Sequence, residues 1–333
     1  MVKINKTETV LCTYNREICD KNWNKMSIGS NWKAYLALAV VCIAWGTTYL
    51  ALRIGVMEFP PFLFSALRQI IAGIILLTAM FWVVKKEVPS KAVLINQAVA
   101  GFFMITVGNG LVGWAEMFVP SGIAAIICSM VPIWVIVINL IVAKDEKPNF
   151  PIIMGLGVGL SGIILIFGQN LSEITASAYM IGILAIVIAN LGWAGGSIWM
   201  KKKNQQSDPF VNAGLQMTFG GLLLLPVSLG FDNYEAIHFS SNVVWSLLYL
   251  IVFGSVAAYA CYSYAIKKLP VTIVTLYAYI NPIVAILLGW LILDEMLTLR
   301  IVIAIGITLA GVYIVNKGYQ LRSLWRSALS TNS

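Results

Sequence analysis

Residues 108–132 read GNGLVGWAEMFVPSGIAAIICSMVP: the end of one apolar run, a turn at Val119-Pro120-Ser121, and the first half of a second apolar run. Four residues interrupt the apolar character: Asn109, the lone carboxylate Glu116, Pro120 at the turn, and Pro132 inside the second run. Polar groups and helix breakers are costly in hydrocarbon unless protein or a water-filled space surrounds them. Their presence here predicts a helical hairpin that lines a cavity.

Outward from this hairpin the chain holds ten apolar stretches, at about 34–52, 61–84, 92–115, 121–143, 151–168, 175–200, 209–231, 243–266, 270–293 and 299–316. Most have the ~20 residues that carry a helix across a bilayer. The 333 residues are 59% hydrophobic and 11% charged, with mean hydropathy +0.86. Soluble domains carry about 25% charged residues, so the lipid bilayer is the solvent of this chain. Residues 1–30 read as a polar tail without the apolar core of a signal peptide, and 319–333 as a second tail.

When the two sides of the membrane are assigned alternately, every Lys and Arg falls on the side of the N-terminus except Arg53, Arg300 and the intramembrane Arg68. The net charge of +8 is thus loop charge that sets topology, and no nucleic-acid partner is expected. By the positive-inside rule both termini are expected in the cytoplasm. Miscounting one stretch would destroy the alternation, which supports ten.

The two halves repeat. A shift of 148 lays Trp45 on Trp193, Leu67 on Leu215 and Gly73 on Gly221. A shift of 150 lays Ala115 on Ala265, Pro120 on Pro270, Ile123 on Ile273 and Pro132 on Pro282; a shift of 149 lays Gly157 on Gly306 and Gly162 on Gly311. Coincident Trp, Pro and Gly mark a true repeat. The units run 31–170 and 171–318, and an odd number of helices in each turns the second copy upside down. The expected fold is an all-α integral membrane protein of ten transmembrane helices in two inverted five-helix repeats, an architecture of alternating-access carriers.

AWGTTYLALRIG at 44–55, FSALRQIIAGIILL at 64–77, the stretch 108–132 and Leu293-Asp294-Glu295 together resemble the EamA family of the drug/metabolite transporter superfamily, in its YedA-like exporter branch. The resemblance covers about residues 30–318. It implies a ten-helix inner-membrane carrier of small metabolites or drugs, often an exporter, with a pathway between the first, third, fourth, sixth, eighth and ninth helices.

Candidate cavity residues follow from chemistry and helical spacing. Arg68 costs about 2.5–3.5 kcal/mol on membrane-insertion scales, so it calls for an inward partner, either a substrate anion held by its bidentate fork or a structural ion pair. Glu116 is the carboxylate expected to neutralise it in one state of a transport cycle, with a proton or an amine as its alternative partners. Pro132 and the Asn281-Pro282 pair are expected to kink their helices and free carbonyls. Trp45, Thr48 and Tyr49 share one helical face, Asn190, Trp193 and Ser197 a second, Tyr259 and Tyr262 a third, and Tyr277 and Asn281 a fourth. With Asn109 they offer the aromatic walls and few polar tips of a small-molecule pocket. The glycines of stretches five and ten, among them Gly155, Gly157, Gly162, Gly306 and Gly311, suit close helix packing, as scaffold or as the contact of a homodimer.

His238 is the single histidine and no CxxC or Cys/His cluster occurs, so neither a metal nor a cofactor is expected. Without a carboxylate pair or activated nucleophile at membrane depth, an enzyme is not expected. A carrier moving a small organic substrate, amino-acid-like or amphipathic, is the favoured reading. Uptake, exchange, or a non-transporting receptor on the same fold are the alternatives.

Overall fold

The computed structural model describes residues 28–142, 150–167, 177–203, 208–269 and 277–330. Among these there is no strand, and ten helical segments follow in order. They are α1 (Ile28–Glu58), α2 (Pro61–Thr78, prolonged by a π-helical turn Ala79–Val83) and α3 (Lys91–Gly101, π-helical Phe102–Asn109, then Gly110–Ala115). Next come α4, broken into Ser121–Cys128 and Val131–Val142, α5 (Phe150–Phe167), α6 (Ser177–Lys203) and α7 (Pro209–Phe231). The last are α8 (Ser241–Tyr249, π-helical Leu250–Ala257, then Ala258–Lys268), α9 (Tyr277–Leu293) and α10 (Leu299–Ser330). Six are long and apolar enough to cross a membrane and four are shorter apolar helices. Residues 270–276 of the ninth stretch lie outside the described residues. The tenth helix runs on to Ser330, well past the end expected near 316.

Hydrogen bonds fix which helix ends lie together. Asp232, ending α7, accepts from the Phe62 and Leu63 N–H groups (3.3 and 2.7 Å) and so caps α2. At the far end of the same pair, Lys86 meets Asp208 at 3.0 Å. Helices α2 and α7 are therefore antiparallel, and Glu58, ending α1, meets Ser240 and Asn242 at the start of α8. Loops that should share a side do share one.

The inverted repeat is written into the contacts. A Cβ added at Gly73 would lie 2.7 Å from the Thr218 nitrogen and 2.8 Å from the Gly214 oxygen; one at Gly221 would lie 3.0 Å from the Ile70 nitrogen and 3.1 Å from the Ala66 oxygen. Adding 148 to 73, 70 and 66 gives 221, 218 and 214, so α2 and α7 meet through the same surface on both sides, as in a two-fold dimer. Helices α5 and α10 do likewise: Gly162 abuts Thr308, and Gly311 abuts Gly159. Those glycines serve a contact within the chain, whereas Gly157 and Gly306 face open space. Helix α1 packs on α8 and α9, and its counterpart α6 packs on α3 and α4. Outward side chains such as Leu229, Phe231, Trp245 and Phe150 are exposed and apolar, the surface lipid requires.

Candidate functional site

The π-helical stretches of α3 and α8 are eight residues each and start 148 apart. Such widened turns interrupt regular hydrogen bonding and cluster at functional sites. Here each faces the tryptophan of the opposite repeat. The Trp45 indole Nε1 donates to the Gly254 carbonyl at 3.2 Å, and Trp193 lies against Gly108.

Helix α4 breaks at Ser129–Met130, two residues before Pro132, because the proline has no N–H for the preceding turn. The Ile127 carbonyl beside this break takes a hydrogen bond from Asn190 Nδ2 at 2.7 Å. With the Asn281 amide oriented so that its nitrogen faces two carbonyls, it donates to Cys42 O at 3.0 Å and Tyr277 O at 2.9 Å. Position 42 plus 148 is 190, so one asparagine bridges α6 to α4 and the other bridges α9 to α1 at equivalent depth. The kink is present in α4; in α9, Pro282 sits within a continuous helix over the described residues.

Between these elements lies a cavity of about 140 Å³. Its lining includes Trp45, Thr48, Tyr49, Arg68, Asn109, Asn190, Trp193, Tyr259, Tyr277 and Asn281. Helices α1, α2, α3, α4, α6, α8 and α9 contribute, and none of the lining comes from α5, α7 or α10. Tyr262 stands behind the wall, 5.3 Å from the Trp45 ring and 6.0 Å from Tyr277. Ser197 bonds back to the Trp193 carbonyl at 2.7 Å, and Pro282 is buried beside Asn281. Pro132 acts through the α4 break, which brings Ser129 and Val131 to the lining. Gln69 and Cys128 also line the cavity. Sequence reading missed both, since a Gln beside an Arg and a single thiol carry no periodic signal.

The cavity is chemically lopsided. Trp45 contacts Tyr259 at 5.6 Å and Tyr277 at 4.9 Å, both edge-on, which builds one aromatic wall. Arg68, only 6% exposed, donates from Nε to Ser255 at 3.1 Å, and among the described residues no carboxylate lies within ion-pair distance of it. The expected Arg68–Glu116 pair is not formed. Helix α3 ends at Ala115, and Glu116 is not itself a lining residue, although Tyr49, Arg68 and Cys128 of the lining are near it. The cation near Glu116 is instead Arg53, which pairs with Glu295 at 3.2 Å. Its Nη1 also donates to the Glu116 and Val119 carbonyls. Glu295 lies in the Leu293-Asp294-Glu295 block already noted; its role could not be read from sequence because its partners lie in the first repeat.

No metal-binding group of three or more His, Cys, Asp or Glu occurs among the described residues.

Comparison with known proteins agrees with this architecture. The model of the EamA-like transporter family matches residues 32–168 and again 180–317. The inner membrane transporter YedA of Escherichia coli K12 is 33% identical over 86% of this chain and 91% of its own length. The transporter YoaV of Bacillus subtilis is 27% identical over 85% and 96%. A crystal structure with 18% sequence identity covers 84% of this chain and 95% of its own, with a TM-score of 0.59, and shows the fold. Matched in both halves, and with a third of its residues shared along a full-length relative, this multi-pass membrane protein belongs to the EamA-like transporter family.

Proposed function

We propose that the chain is an alternating-access secondary carrier that exports small organic metabolites bearing a carboxylate and an apolar or aromatic body, amino acids among them. The observation that carries this is a buried arginine with no carboxylate partner, facing an aromatic wall at the junction of two inverted repeats. A guanidinium so placed accepts a bidentate carboxylate. Gln69 lines the same cavity with its Oε1 unpartnered, which suits an ammonium next to that carboxylate. Tyr259, Tyr277 and Trp45 supply the apolar body's contact. Lysines mark one end as cytoplasmic, which makes the Arg53–Glu295 end the outer one. Glu116, Val119 and Ser121 are all fully buried there, so this conformation is closed to the outside.

Net export belongs to the reading by kinship alone; the cavity chemistry supports the substrate class. The test is a thermal-shift screen of the purified protein against zwitterionic, anionic, cationic and neutral metabolites, followed by counterflow in liposomes with the best solute. Stabilisation by carboxylate-bearing solutes, lost in Arg68→Gln, is expected. Equal stabilisation of Arg68→Gln would remove the anchor role. Absence of saturable counterflow for every stabilising solute would favour a receptor on this fold.

A further inference from the structure

The outer end is held by one connected set of groups. Arg53 on α1 binds Glu295 in the α9–α10 link, and its Nη1 takes the Glu116 and Val119 carbonyls at the end of α3. Glu295 accepts from the Ser121 N–H at 2.8 Å, the Ser121 hydroxyl at 2.9 Å and the Gly122 N–H at 3.3 Å, and so caps α4. Opening this end must separate α1 from the α9–α10 link and release that carboxylate. Arg53 would then need a new anion.

One is in place. The Glu116 side chain is fully buried and neither carboxyl oxygen has a hydrogen-bond partner. An ionised carboxylate without donors or water costs several kcal/mol, far more than the neutral acid. The groups around it are Arg53 and Tyr49 from α1, Arg68 from α2, Cys128 from α4 and Glu295 from the α9–α10 link, with Arg53 the strongest charge upon it. Tyr49 and Cys128 are neutral, and Arg68, held through Nε by Ser255 at the cavity, acts on Glu116 more weakly than Arg53 does. The group able to stabilise an ionised Glu116 is therefore Arg53, and Arg53 is committed elsewhere.

We propose that Glu116 is a proton-binding site whose occupancy is exchanged for Arg53. With the outer end closed, Arg53 pairs with Glu295 and Glu116 holds a proton. When the end opens, Glu295 is left to water, Arg53 turns to Glu116, and the Glu116 proton leaves to the newly admitted solvent. Charge balances without a further ion: one cation changes partner and one proton departs. This deepens the carrier reading by tying the opening of its outer end to one proton, and rests on that reading for its purpose though not for its test.

The experiment is infrared spectroscopy of the purified full chain in nanodiscs across a pH titration, which reads the carboxylic-acid C=O stretch without any substrate. At neutral pH the wild type should show such a band, absent in Glu116→Gln. Glu295→Gln keeps an acceptor for Ser121 but frees Arg53, so the Glu116 band should be lost at neutral pH. Adding Arg53→Gln to Glu295→Gln should restore it. Arg53→Gln alone decides the matter if Glu295→Gln does not fold: its band should persist to more alkaline pH than in the wild type. A neutral-pH spectrum with no Glu116-dependent band overturns the proposal. So does a band unmoved by both Glu295→Gln and Arg53→Gln. Loss of counterflow with these bands intact would count against the carrier and leave the proton site standing.

Discussion

The two repeats share a backbone but differ in what they place at equivalent positions. Arg68 on α2 and Gln216 on α7 are 148 apart. Arg68 faces the cavity and touches Ser255, whereas Gln216 is buried away from it, donating to Gln97 at 2.6 Å. The glutamine's needs are met by another side chain, and the arginine is left with a charge to share. A similar divergence surrounds the tryptophans: Trp45 stands among Tyr259, Tyr262 and Tyr277, while Trp193 lies against Gly108. The symmetric parts of the molecule (glycine contacts, widened turns, bridging asparagines) build the frame. The asymmetric parts give it a ligand.

Disturbing the symmetric frame should have the largest effect. Gly311→Val would drive a branched side chain into the Gly159 backbone; overpacking of this kind costs about 1–3 kcal/mol and sometimes more. A sharp fall in monodisperse protein by size-exclusion chromatography is expected. Gly306→Ala, which meets nothing within 4 Å, should be neutral or stabilise by up to about 1 kcal/mol through helix propensity. Equal damage from both would mean that α5 and α10 are not the rigid pair described.

Arg68→Gln, which makes the first repeat resemble the second, should leave the melting temperature nearly unchanged. It should weaken binding of a carboxylate-bearing solute roughly ten- to a hundredfold, the value of a hydrogen bond to a charged group at about 1.5–3 kcal/mol. Titration calorimetry with the best solute from the thermal-shift screen measures this. An unaltered affinity would erase the functional side of the comparison.

The bridging asparagines sharpen it. Asn190→Ala removes the bond to the Ile127 carbonyl, and Asn281→Ala the bonds to the Cys42 and Tyr277 carbonyls. Each should cost about 0.5–1.5 kcal/mol, the net worth of one intramolecular hydrogen bond. Thermal unfolding of both variants is the check, and a large inequality would show that only one bridge bears on stability.

The smallest effect belongs to Lys86–Asp208, a partly exposed pair at the lysine-rich end. Burial acts to raise the Asp208 carboxyl, but Lys86 and the Phe210 and Val211 N–H groups outweigh it, leaving the group below its ordinary value. Its contribution is therefore full above the ordinary aspartate pKa and fades as pH falls through the lowered one. Asp208→Asn should shift the melting temperature by only a degree or two's worth of a pair valued at about 0–1 kcal/mol, and only above that range. An equal shift in strong acid would assign it to the cap on Phe210.

Much of the frame was legible in the sequence. Helix number, alternation and inversion follow from length, lysines and the 148–150 shift, because bilayer thickness and the positive-inside rule constrain each stretch locally. The faces carrying Trp45, Asn190 and Asn281 were legible through helical spacing. The π-helical stretches were not, since residues 102–109 and 250–257 are ordinary apolar sequence and their widening is decided by what packs on them. The partners Arg68 and Glu116 have in this conformation were not legible for a related reason: rise per residue gives depth but not rotation, and not the end of α3 at Ala115. Arg53–Glu295 joins the first helix to the last link, a contact no local pattern announces.

The self-mating contacts of α2 with α7 and of α5 with α10 have one more consequence. Each half of the chain presents to the other the same surface that the other presents to it, so the peptide link between them does little of the holding. A protein cut between residues 168 and 177 and expressed from two messages is expected to assemble in the membrane and to co-purify through a tag on either fragment. Such fragments would let each half be labelled or mutated separately.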